Sequence, residues 1–87
     1  RYQLIAETPV VEAFTLTYEN GVIIRDEVEG YDNLGWHIER DGSLLLDRAA
    51  EGELQLPAEY TYPDTSIWLE AYINGTYIRV SNIIEVP

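Results

Sequence analysis

The sequence predicts an all-β domain, an antiparallel sandwich or small barrel of roughly seven or eight short strands. Three observations carry this. No stretch sustains a helical period, and the apolar residues instead fall in short alternating runs rich in Val, Ile, Thr and Tyr. The dipeptides Asn20-Gly21, Asp41-Gly42 and Asn74-Gly75 punctuate those runs, and Gly accepts the positive φ that tight hairpin turns require. Pro9, Pro57, Pro63 and Pro87 lie between the runs or at the chain end, where a missing N–H does no harm.

Taken in chain order, strands are expected at 2–6, 12–18, 22–29, 34–40, 43–47, 52–56, 66–73 and 76–86. Around Asn20-Gly21, a three-residue loop Glu19-Asn20-Gly21 would set Leu16 opposite Ile24 and Tyr18 opposite Val22. It would also set Phe14 against Asp26, where the pairing should end or a bulge intervene. In the middle hairpin, a loop Arg40-Asp41-Gly42 would set Trp36 opposite Leu46 and Ile38 opposite Leu44. His37, Glu39, Ser43 and Leu45 would take the other face. The last hairpin reads most cleanly. A two-residue turn at Asn74-Gly75 pairs Ile73 with Thr76, Ala71 with Ile78, Leu69 with Val80 and Ile67 with Asn82 on an apolar face. Tyr72 with Tyr77, Glu70 with Arg79 and Trp68 with Ser81 then share the opposite, outward face. Asn74-Gly75-Thr76 also fits a glycosylation sequon, but the turn explains it without a secretory context.

The 87 residues make one domain, 1–87, and 46% apolar residues suffice for a packed core. Starting at Arg1 with no Met, the chain is expected to be a segment of a longer or processed protein. No apolar run reaches the ~20 residues of a membrane span, so membrane insertion is not expected. Sixteen acidic residues against five arginines give a net charge of -11, which repels phosphate backbones and argues against nucleic-acid binding. With no Cys, there is no disulfide framework, thiol nucleophile or thiolate metal site.

Gly30 followed by Gly35-Trp36-His37-Ile38-Glu39-Arg40-Asp41-Gly42 resembles the second and third strands of an immunoglobulin-like domain, with a buried Trp before a polar turn. Asp64 through Val86, closing on Ile78-Arg79-Val80-Ser81-Asn82-Ile83-Ile84-Glu85-Val86, resembles its last two strands and also fibronectin type III endings. Asp64-Thr65-Ser66-Ile67-Trp68 resembles the approach to a tyrosine corner, with Trp68 where Tyr is usual. The two inter-sheet Cys of antibody domains are absent, so the resemblance points to Cys-free modules of bacterial surface proteins or phage virions. It implies an antiparallel immunoglobulin-like β-sandwich that is extracellular, on a cell surface or in a virion. Its partners would be protein subunits, cell-surface components, glycans or neighbouring domains of the parent chain.

Chemistry-bearing constellations are few. His37 is the only His, and with Ser43 and Glu39 nearby it still lacks a nucleophile elbow or Gly-rich loop, so it reads as a surface residue. No catalytic residue, metal ligand or cofactor is assigned, and the chain is not expected to be an enzyme. Asp26, Glu27, Glu29 and Asp32 cluster in one loop, but without the Asp-x-Asp-x-Asp pattern of a calcium loop. The expected binding face is Trp68, Glu70, Tyr72, Tyr77 and Arg79, where rings beside hydrogen-bonding charges suit protein or sugar recognition. The leading function is a non-catalytic module for display, spacing or weak adhesion. The alternative is a carbohydrate-binding module with Trp68, Tyr72 and Tyr77 as its platform.

Overall fold

A computed structural model describes residues 10–87. The strand expected at 2–6 lies outside the described residues. Within them the chain forms β1 (Val10–Phe14), β2 (Leu16–Glu19), β3 (Val22–Arg25), β4 (Leu34–Arg40), β5 (Ser43–Ala49), β6 (Gln55–Leu56), β7 (Ser66–Ile73), β8 (Thr76–Ser81) and β9 (Ile84–Glu85). A 3-10 turn, Ala58–Tyr60, follows β6. The strands make two sheets. The larger has the order β1-β8-β7-β4-β5, with β9 also paired to β7, and the smaller has the order β2-β3-β6. The all-β expectation holds. Uniform antiparallel pairing does not, because β1 runs parallel to β8.

All three turn dipeptides make two-residue hairpins. Asn20 and Gly21, Asp41 and Gly42, and Asn74 and Gly75 each place both central residues at φ between 50° and 80°. That is the type I′ geometry whose twist matches paired strands. At Asn74-Gly75 the predicted register stands from Ile73 opposite Thr76 to Glu70 opposite Arg79. Beyond it the ladder is irregular, since the Leu69 N–H bonds to the Ser81 hydroxyl at 2.9 Å. Ile67 then opposes Ile84, not Asn82.

The other two loops differ from the three-residue reading, and the reasons are physical. In the first hairpin Leu16 opposes Arg25 and Tyr18 opposes Ile23. This register turns Arg25 inward, and it is only 7% exposed. Its guanidinium donates to three carbonyls, those of Glu53, Asp26 and Ala50, at 2.9, 3.1 and 3.0 Å, and lies 5.5 Å from the Phe14 ring centroid. Those acceptors satisfy the buried donors. In the middle hairpin Arg40 opposes Ser43 and Glu39 opposes Leu44, and then the register shifts so that Ile38 opposes Leu46 and Trp36 opposes Arg48. The extra residue is Leu45, so the turn is a two-residue one and a bulge sits inside the strand.

The predicted strand 12–18 is divided. Chain 10–14 joins the larger sheet, and 16–19 crosses to the smaller one. The crossing is held by side chains that replace a ladder partner: the Thr15 N–H bonds to Asp26 Oδ1 at 2.9 Å, and Asn82 bridges both Leu16 backbone groups at 2.7 and 3.2 Å. The predicted strands 22–29 and 52–56 contract to β3 and β6.

Trp36, Ile38, Leu34, Ile67, Leu69, Ala71 and Val80 of the larger sheet pack with Leu16, Ile23 and Leu56 of the smaller one in a single core. The pairs Trp36–Leu69 and Ile38–Ile67 are direct cross-strand neighbours at its centre. The Trp36 indole N–H donates to Glu53 Oε1 at 3.0 Å, and Arg48 clamps the same carboxylate at 2.9 Å while lying over the Tyr60 ring. The rim is thereby polar but paired. Trp36→Ala should lower the unfolding free energy by about 3–5 kcal/mol in urea titration, through lost burial and an unfilled cavity. A loss below about 1 kcal/mol would contradict the central position of Trp36.

Candidate functional site

β7 is buried continuously from Ile67 through Ala71, and β4 from Trp36 through Glu39. A sheet buried on one face alternates, so both strands must be covered on both sides. The second face carries His37, opposite Trp68, and Gly35, opposite Glu70, with Asp47 of β5 opposite His37. All the residues of the expected binding face lie on this side of the hairpin. They differ in access. Trp68 is 1% exposed and Glu70 6%, Tyr77 and Arg79 are half-buried, and Tyr72 is 44% exposed.

The outward, solvent-facing placement expected for Trp68 and Glu70 is therefore corrected. Trp68 lies on a central strand, and its ring stacks on the His37 ring with centroids 4.2 Å apart and planes inclined by 22°. Its indole N–H donates to Glu70 Oε2 at 3.3 Å. The reading of His37 as a surface residue is corrected too. It is 1% exposed, the bulge at Leu45 pairs it with Asp47, and the two-residue turn sets Ser43 opposite Arg40 at the hairpin tip.

Three carboxylates meet this ring. Glu39 Oε1 lies 3.2 Å from Nε2, while Asp47 Oδ1 and Glu70 Oε2 each lie 3.4 Å from Nδ1. Burial works against the charged imidazole, but Glu70 first, then Glu39 and Asp47, outweigh it and raise the His37 pKa above 6.5. A pocket of about 170 Å³ opens beside the cluster, lined by Asn33, Gly35, Asp47, Arg48, Ala49, Glu70 and Tyr77. The hairpin tip borders it: Tyr72 and Tyr77 are in contact, with centroids 4.8 Å apart and planes tilted by 59°. Arg79 folds along its own strand and donates to the Ser81 carbonyl at 2.6 Å.

Among the described residues, His37, Asp47 and Glu70 are the group of His, Cys, Asp and Glu side chains that converges closely enough to hold a metal ion. The loop acids Asp26, Glu27, Glu29 and Asp32 are exposed and form no such group. Sequence reasoning named Glu70 and missed His37 and Asp47 as its companions. One signal was present. His37-x-Glu39 and Trp68-x-Glu70 each place a ring and a carboxylate on one face of a strand. Only the β4–β7 register brings the two pairs together.

A His whose folded pKa is raised stabilises the fold fully below its unfolded value and loses that contribution as pH rises through the folded value. The stability margin of the wild type over His37→Gln should thus be largest below pH 6.5 and narrow above it, measured by urea unfolding in chelated buffer. A margin constant from acid to alkaline pH would contradict the charged state of the ring.

No family model, curated protein or solved structure matches the chain.

Proposed function

We propose that the chain is a non-catalytic, immunoglobulin-like sandwich module of a bacterial surface or phage virion protein, which meets a protein neighbour through the exposed β7–β8 hairpin tip of its larger sheet. One observation carries this reading: the Tyr72–Tyr77 pair stands at the hairpin tip, with Tyr72 44% exposed, beside a pocket walled by Glu70 and Asp47. Tyr rings supply contact area at low entropic cost, and adjacent carboxylates favour a partner presenting basic groups. The net charge of -11 has the same sense. In this reading Tyr72, Tyr77 and Arg79 make the contact, while Trp68 and Glu70 support them from beneath.

The alternative, a carbohydrate-binding module, has less in its favour. Its platform would need Trp68, which is covered, and the two remaining rings are tilted by 59° and offer no common plane to a sugar.

A photo-reactive phenylalanine at position 72 should cross-link to a neighbouring protein, and one at position 24, where Ile24 is exposed on the smaller sheet, should not. Tyr72→Ala or Tyr77→Ala should weaken that association about tenfold, about 1.4 kcal/mol. Equal cross-linking at both positions would reject this face. Glycan-array binding lost in the same two variants would favour the sugar reading.

A further inference from the structure

We propose that His37, Asp47 and Glu70 bind a single divalent transition-metal ion, of which Zn²⁺ fits the donor set best, with His37 Nδ1 as the nitrogen ligand. The donor set comes first. His37 Nε2 lies 3.2 Å from Glu39 Oε1, an oxygen that only accepts, so Nε2 carries its hydrogen and donates. Nδ1 is then turned toward Asp47 Oδ1 and Glu70 Oε2, both at 3.4 Å. A lone pair facing two carboxylates is repulsive unless a cation lies between them. That cation is either a proton on Nδ1 or a metal ion.

The geometry suits the metal. Zinc–nitrogen and zinc–oxygen bonds of about 2.0–2.2 Å at tetrahedral angles put neighbouring ligand atoms about 3.3–3.6 Å apart. Two of the three separations are already 3.4 Å, and all three donor atoms lie within 4.8 Å of one another. Asp47 belongs to the edge strand β5 and its side chain is 41% exposed, so it can close the remaining gap without disturbing the core.

The surroundings independently match a metal site. Glu39 behind the histidine makes a carboxylate–histidine pair, which fixes the ring and raises its basicity. The Trp68 indole N–H orients the Glu70 carboxylate, and the Trp68 ring holds the imidazole plane by stacking. The pocket lined by Asp47, Glu70 and Tyr77 gives an ion access from solvent and leaves a fourth position for water or a partner group. His37 is the only His and there is no Cys, so no second imidazole or thiolate competes for the ion.

Zn²⁺ added to the chelator-stripped 87-residue chain should bind at one ion per chain by calorimetry. At a hundredfold excess over Kd it should raise Tm by about 10–20 °C. Asp47→Asn, at an exposed position that leaves the fold intact, should weaken binding at least tenfold. Glu39→Gln should weaken it by about 10–100-fold. In ¹⁵N spectra of the ring, Nδ1 should shift on Zn²⁺ addition while Nε2 keeps its hydrogen. Absence of a Tm shift, or binding equally tight in Asp47→Asn, would overturn the proposal. So would spectra in which Nδ1 keeps a proton at saturating Zn²⁺, which assign the cation between the carboxylates to the imidazolium.

Discussion

The β4–β7 ladder is the constraint on which the other elements depend, because it is buried on both of its faces. On one side Trp36, Ile38, Ile67 and Leu69 form the centre of the core between the sheets. On the other, His37 and Trp68 stack while Glu39 and Glu70 sit almost wholly out of solvent. Apolar burial stabilises the first side without directional demands. The second tolerates burial only because its charges are paired: a buried carboxylate without a partner would cost several kcal/mol. A positive centre at His37 therefore does more than decorate the surface. It lets two acidic residues occupy the middle of a sheet.

The remaining strands are arranged around that ladder by polar fasteners. Asn82 joins the end of β8 to Leu16 of the smaller sheet, and Asp26 receives the Thr15 N–H, so the chain can leave one sheet and enter the other within a single residue. Arg25 closes the same end by donating to three loop carbonyls. Arg48 and Glu53, whose carbonyl also receives Arg25, close the adjoining rim over Trp36. Each fastener is a charged or amide side chain, and Arg25, Arg48 and Asn82 each make two or more hydrogen bonds at once, which suits a domain with no Cys to staple it.

Much of this was legible in the residues. The spans 34–40 and 66–73 and the hairpin at Asn74-Gly75 follow from alternation and turn chemistry alone, and the pairing of Glu70 with Arg79 follows from them. The registers around Asn20-Gly21 and Asp41-Gly42 were not, for opposite reasons. Arg25 points inward against its hydropathy because loop carbonyls receive it, and Leu45 is an unpaired bulge residue in a run of three leucines that offers no preferred phase. Trp68 exposes the larger gap. Which face of a strand a residue occupies can be read from its own hairpin, but whether that face is covered depends on distant partners. Here the partner is His37, some thirty residues earlier, and the histidine is buried by the same pairing.

The central claim, that the second face of the β4–β7 ladder is a covered surface and not an open platform, is tested most directly by fluorescence of a Trp36→Phe variant, in which Trp68 is the sole indole. The structure predicts a blue-shifted emission that acrylamide quenches weakly in the native state and strongly after unfolding in urea, as befits a ring 1% exposed. A folded variant whose emission lies near that of indole in water and is readily quenched would contradict it.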